Sequence, residues 1–428
     1  MAHRHIAMGI LRVVLFLLLL GSTAYSVGEC QAQELVKENI FVFENAKRTR
    51  ARIPVQIQRN LLVVNVFING NGPFNFLLDT GVASSIITLP ALADSLQLRH
   101  GQQFRILGAG GSDTGLLAYQ ADSVRVGMSG IVAPAMSLLV LSQDVLNLSG
   151  YVGMPIHGIL GSELFRSFTI TLHPEEGNLI ATAPERFRMP RGKHWSILPL
   201  SLENNKAYFT APVQFSDSLT LPLKLVLDTG ASHALSLELD SDPRLTAPSP
   251  RFATDLGRGL TGVVQGFLGR IPRLQLGRYT LKSVLTSFPN SADVHRRIDV
   301  PRNGNVGYEL LKRFSLVIDY PHRRLLLRPN VQLHDAFEHD MSGIEFLAVG
   351  PDLRRYLVLR VMPDSPAATA GLEPEEELIS INFIPVSFYN LTQLSRLMHS
   401  EDGRALLLLL RRPDGELHTA TVRLKRQI

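Results

Sequence analysis

A chain of 428 residues with 45% apolar and 19% charged side chains is long enough for two or three domains and composed like a folded protein. Its 43 Lys and Arg against 38 Asp and Glu leave a formal charge of +5. That excess is spread without a basic stripe interleaved with aromatics, which argues against a nucleic-acid partner.

The first element, "MAHRHIAMGILRVVLFLLLLGSTAYSVGECQAQE", reads as an export signal over residues 1–32. A basic start (His3, Arg4, His5, Arg12) precedes an apolar run from Val13 to Leu20, and "CQA" before Gln33 is a cleavage site of the small-residue kind. The run falls short of the ~20 residues of a spanning helix, so membrane attachment is expected only if the segment stays uncleaved. Cys30 is the single cysteine; cleavage after Ala32 leaves none, and with it no disulfide or thiolate metal cluster. An exported protein, periplasmic or secreted, is expected.

From residue 35 the chain becomes a succession of short apolar or alternating runs punctuated by Gly, Pro and Asn, which read as strands: "LLVVNVFING", "FNFLLD", "ADSVRVG" and "FTITLHPEEGNLIATA". One short helix is expected at "SELFRSF" and another at "YELLKRF". The stretch "FNFLLDTGVASSIITLP" (74–90) sets Asp79 at the end of an apolar strand, where an unpaired carboxylate costs several kcal/mol. Its match lies 149 residues on, at "LKLVLDTGASHALSLEL" (223–239), with Asp228 opposite Asp79. "IPVQIQRN" also matches "LPLSLENN", "LGAGG" at 107–111 matches "LGRGL" at 256–260, and "GILGSELFRSFTITL" matches "GNVGYELLKRFSLVI". Four blocks in one order make two homologous lobes, 35–183 and 198–335, joined by a linker at 184–197 in which Trp195 is expected as an interface anchor.

Two Asp-Thr-Gly loops, each closing an apolar strand and followed by a Gly-rich hairpin and a Gly-hydrophobic-hydrophobic-Gly segment, resemble the pepsin-like and retropepsin-like aspartic proteases. The likeness is to bacterial retropepsin-like proteins with two such units in one chain. It implies an all-β, bilobal acid-protease fold with pseudo-twofold lobes. Asp79 and Asp228 would be the catalytic pair: two carboxylates in hydrogen-bond range cannot both ionise, so they share a proton and activate a water between them. Thr80 and Thr229 would bond across to the opposite loop, and Gly81 and Gly230 would let the backbone approach the acids. The segments 159–161 and 305–307 would support the loops from below, and the hairpins at 107–117 and 256–266 are flap candidates. No metal or cofactor is implied.

The residue after each glycine is Val82 or Ala231, where the family uses Ser or Thr, so neither can donate to the outer carboxylate oxygen. Loss of that donor predicts a raised lower pKa and an optimum of about pH 5–6. Asn305 stands at a position that is usually apolar. A third Asp-Thr-Gly, at Asp113, follows "GAGG" and belongs to a hairpin tip, and "GRGLTG" (257–262) lacks the helix of a dinucleotide loop. His233 reads as structural with a second reading as a tuner of the dyad, and Asp319 as a hairpin residue.

From 341 to 428 the chain resembles a bacterial PDZ domain, chiefly through "SPAATAGL" (365–372) and "LISIN" (378–382). The resemblance implies a small β-rich domain that binds polypeptide segments. Gly343, Ile344, Glu345 and Phe346 would form the loop that receives a peptide's terminal carboxylate. The other reading of this domain is a packing module that steadies the lobes. Glu375-Glu376 and Asn382-Phe383 replace the family's Gly-Asp and Asn-Gly. The whole reads as an exported aspartic endopeptidase acting on polypeptides; the alternative is a non-catalytic peptide-binding scaffold that keeps the fold.

Overall fold

The computed structural model describes residues 12–14, 40–107, 115–259, 262–294 and 300–428. Nearly all of the expected leader, and Asp113 with the tip of the first Gly-rich hairpin, lie outside the described residues.

Period-two patterning sets the first strands. In Arg50–Gln58 the side chains of Ala51, Ile53 and Val55 are buried and those between them exposed, as a half-covered strand requires. Leu61–Ile68 then turns into Asn71–Leu78 through Asn69 and Gly70, both in the left-handed region that a tight hairpin needs. The second of these strands delivers Asp79 to its loop.

The same three-strand device occurs in each lobe. Gly158–Leu160 runs parallel to the end of Asn71–Leu78 and antiparallel to Ile86–Ile87. Gly304–Val306 runs parallel to the end of Leu219–Leu227 and antiparallel to Leu235–Leu237. The expected helices follow at once, as Glu163–Ser167 and Tyr308–Leu311.

A six-stranded sheet joins the lobes. Its order is Arg50–Gln58, Asn178–Thr182, Thr169–His173, Phe314–Asp319, Arg324–Pro329 and Ser196–Pro199. The lobes meet at the third and fourth strands, where Thr171 is paired with Val317. The linker stretch therefore ends within a strand, and half-buried Trp195 sits under the Arg328 guanidinium, 5.3 Å from the ring centroid. Asp319 is buried in this sheet, accepting bonds from Thr169, His322 and Arg324. One apolar core runs through both lobes, with Phe165, Leu172, Leu316 and Leu327 among its members.

The C-terminal domain has its own core, with Phe346, Leu378, Leu394, Leu408 and Val422 buried between an antiparallel sheet and the helix Leu391–Met398. Asn390 and Gln393 close that helix's N-terminus in a reciprocal capping box. Asn382 and Phe383 both take the left-handed turn conformation, so the tight turn survives with Phe in the place of Gly. Buried Glu376 is bonded to His418 at 2.7 Å. No helix among the described residues is long and apolar enough to cross a membrane.

Candidate active site

Each parallel pairing holds one aspartate from below. The Asp79 amide donates to the Leu160 carbonyl at 2.9 Å, and the Asp228 amide to the Val306 carbonyl at 3.0 Å. The threonines then tie the loops together. Thr80 Oγ1 donates to the Leu227 carbonyl (2.7 Å) and accepts from the Thr229 amide (3.0 Å). Thr229 Oγ1 donates to the Leu78 carbonyl (2.9 Å) and accepts from the Thr80 amide (3.1 Å). Both threonines are fully buried, so all four bonds form away from water, where leaving any of these groups unpaired costs most.

The carboxyl groups of Asp79 and Asp228 face one another across Gly81, where an added Cβ would lie 3.0 Å from Asp79 Oδ1 and 2.8 Å from Asp228 Oδ1. The Gly81 amide donates to Asp79 Oδ1 at 2.6 Å. A Cβ on Gly230 would overlap the Asp79 carboxyl group. Each glycine thus lies against the opposite acid, and a side chain at either position would push the pair apart.

Below the acids the two lobes differ. Asn305 Nδ2 donates to Asp228 Oδ2 at 2.7 Å, and Asn305 Oδ1 lies 3.3 Å from His233 Nε2. The matching position in the first lobe is Ile159, which is buried with Val82 and Ile86 in an apolar cluster. The expectation that Asp228 lacks a side-chain donor is therefore corrected: Ala231 offers none, and Asn305 reaches in from the supporting strand. With that donor present, the argument from Ala231 to a raised lower pKa loses its basis. The first lobe spends its polar bonds lower down, where buried Glu163 accepts from the Ser85 amide and hydroxyl, both at 2.9 Å.

Burial, and then the charge of Asp228, hold the Asp79 carboxyl well above the usual carboxylate range. The Gly81 amide and the charge of fully buried Lys206 pull the other way. Burial also lowers the His233 imidazole below its usual value, against the opposing pull of Asp228. A neutral His233 donates from Nε2 to Asn305 Oδ1, which fixes the amide with its NH2 toward Asp228.

Both acids face a cavity of about 490 Å³, a volume in the range of enzyme clefts. Leu61, Leu77 and Tyr151 line it from the first lobe. From the second lobe comes the hairpin of Arg251–Gly259 and Gly262–Leu276, whose Leu256, Gly257 and Val264 reach the cavity. This is the flap candidate at 256–266; of the candidate at 107–117, residues 108–114 lie outside the described residues. Sequence reasoning missed the remaining wall: Glu345, Leu347, Leu359 and Arg360 of the C-terminal domain also line the cavity. Arg360 pairs with Glu345 at 2.5 Å and with Asp255 of the flap hairpin.

The expected carboxylate cradle is partly filled from within. The amides of Ser342 and Gly343 donate to Asp340 Oδ1, at 3.0 and 2.6 Å, and the Ile344 amide donates to Ser342 Oγ at 3.1 Å. Two of the four expected cradle amides, those of Gly343 and Ile344, thus have internal acceptors, while Glu345 and Phe346 continue into the strand Ile344–Val349. Among the described residues no group of three or more His, Cys, Asp or Glu is placed to hold a metal ion.

Residues 64–164 match the family model described as Aspartyl protease, and residues 357–412 the one described as PDZ domain. No curated protein matches the chain. The all-β chain thus carries an aspartyl protease domain that includes Asp79 and a C-terminal PDZ domain, with Asp228 in the structural repeat of the first unit.

Proposed function

From a protease unit that recurs as a second lobe, we propose that this protein is an exported aspartic endopeptidase. A water held between Asp79 and Asp228 attacks the carbonyl of a peptide bond. Asp228, whose carboxylate takes the Asn305 amide, accepts the proton of the water. Asp79, whose carboxyl burial and its neighbour's charge hold above the usual range, gives the shared proton to the carbonyl oxygen. Thr80, Gly81, Thr229 and Gly230 hold the two acids in register, and the hairpin strands Arg251–Gly259 and Gly262–Leu276 cover the bound chain. Export rests on the leader sequence.

The observation that carries this reading is the crossed set of threonine bonds, which sets two neighbouring carboxyl groups in the lining of one cavity. An Asp buried alone would be a liability; an Asp with a symmetric mate is a proton-sharing pair. Asp79→Asn and Asp228→Asn should each reduce cleavage of an unfolded polypeptide by about 10³-fold or more. A wild-type chain that binds such polypeptides across the acid-to-neutral range and cuts none would sink the proposal in favour of a peptide-binding scaffold.

A further inference from the structure

We propose that the PDZ domain forms one wall of the substrate site, taking an extended internal segment of the polypeptide being cleaved and not its C-terminus. This rests on the endopeptidase reading for the cleavage step, though not for binding.

The first observation is placement. The short first-lobe helix Leu148–Val152 lies against the PDZ edge strand Ile344–Val349, close enough that a Cβ on Gly150 would come 2.8 Å from Leu347 Cδ1. Thr392 at the start of the PDZ helix donates to Gln58 Oε1 at 2.8 Å and accepts from the Arg59 amide at 3.0 Å. These contacts turn the sheet toward the dyad. Leu359, 48% exposed, is an apolar side chain that the PDZ core does not use, and it lines the catalytic cavity together with Leu347. An apolar side chain of a bound substrate is what such a wall recognises.

The second observation is continuity. A further cavity, of about 610 Å³, lies between the PDZ strand at Gly343–Phe346 and the PDZ helix at Leu391 and Met398, under the second-lobe strand that carries Asp255. This is the groove in which PDZ domains add a peptide as a strand. It shares Tyr151, Leu256, Gly257, Glu345 and Arg360 with the catalytic cavity, so one extended chain can run from the dyad into the groove.

The third observation selects the occupant. Asp340 occupies the Gly343 amide and Ser342 Oγ the Ile344 amide, so a terminal carboxylate at its usual seat finds two of its four donors spent. The groove is open along its length to a chain that passes through, which needs no such seat.

The test uses unstructured synthetic peptides, each made as the free acid and as the C-terminal amide. Binding is measured on the full-length Asp228→Asn chain and cleavage on the active one. Acid and amide should bind and be cut alike, within about twofold. Leu359→Asp should weaken binding and raise KM by roughly tenfold, with kcat falling far less. Leu359→Gln, without the charge, should act in the same direction; both variants should melt with the parent, since the side chain is half exposed. Free acids favoured tenfold or more over amides, or leucine variants that bind as the parent does, would overturn the proposal. If peptides bind with this dependence on Leu359 and none is cut, the endopeptidase reading falls and the PDZ wall stands. If none binds, both fall.

Discussion

Asn305 donates its side-chain amide to Asp228 across 2.7 Å, from a strand position that Ile159 occupies in the other lobe. A hydrogen bond to a charged acceptor contributes about 1.5–3 kcal/mol and favours the ionised form. Asn305→Leu removes it and leaves the Asp228 carboxyl without its side-chain donor. The value of kcat should then fall by about tenfold or more, the rate equivalent of ~1.4 kcal/mol, with KM changing far less. His233→Leu, which frees the Asn305 amide to turn, should give a smaller loss in the same direction. An unchanged kcat in Asn305→Leu would remove Asn305 from the positioning of the base.

The alkaline limb belongs to the proton that the two acids share. It must stay on the pair for one carboxyl to act as the acid, and burial and the Asp228 charge hold the Asp79 carboxyl well above the usual range. Activity should therefore persist above the pH at which an ordinary carboxyl is ionised, and fall as pH passes the raised value.

The same shift acts on stability. A group with a raised folded pKa contributes stability fully below its unfolded value, and loses that contribution as pH rises through the folded value. Asp79→Asn should thus melt higher than wild type at neutral pH, by about 2–4 °C for each ~1 kcal/mol gained. The gain should shrink as pH is lowered from the raised folded value and be gone below the unfolded one. Thermal melts at several pH values would show it.

Thr80→Val keeps the shape of the side chain and removes two bonds, orphaning the Leu227 carbonyl and the Thr229 amide. Each buried orphan costs about 1–3 kcal/mol. Chemical denaturation should show a loss of that order, with Thr229→Val alike and the double variant less than additive because the four bonds form one unit.

Gly81→Ala and Gly230→Ala should differ in degree. The new methyl group meets Asp228 Oδ1 at 2.8 Å in the first and overlaps the Asp79 carboxyl group in the second. Misplacing a reacting group by about 1 Å costs around 10²-fold, so Gly230→Ala should lose at least that much activity, and Gly81→Ala less.

Much of this fold is legible in the sequence because the repeat is physical. The runs ending in Asp79 and Asp228 share apolar patterning and a glycine that a close approach demands, and both emerge as the same three-strand device. The crossing threonines entered through the family likeness, since nothing in a local pattern reveals a bond 149 residues away. Asn305 is visible in the sequence as an oddity, a polar residue at an apolar position. Its role depends on which way a supporting strand faces, and that is fixed by tertiary pairing. Leu359 and Asp340 were opaque for a similar reason. A leucine in a strand reads as core, and an aspartate before "MSGIEF" reads as a turn residue, until the domains are placed side by side.

The strands Thr169–His173 and Phe314–Asp319 lie paired in one sheet, with Thr171 beside Val317. Jaws built that way cannot gape: parting the lobes would strip a row of backbone hydrogen bonds from the middle of the molecule. On the endopeptidase proposal, a substrate would be threaded sideways beneath the hairpin, one extended strand at a time. The first property such a site would discriminate is then whether its target is already unfolded, and residue preference comes second.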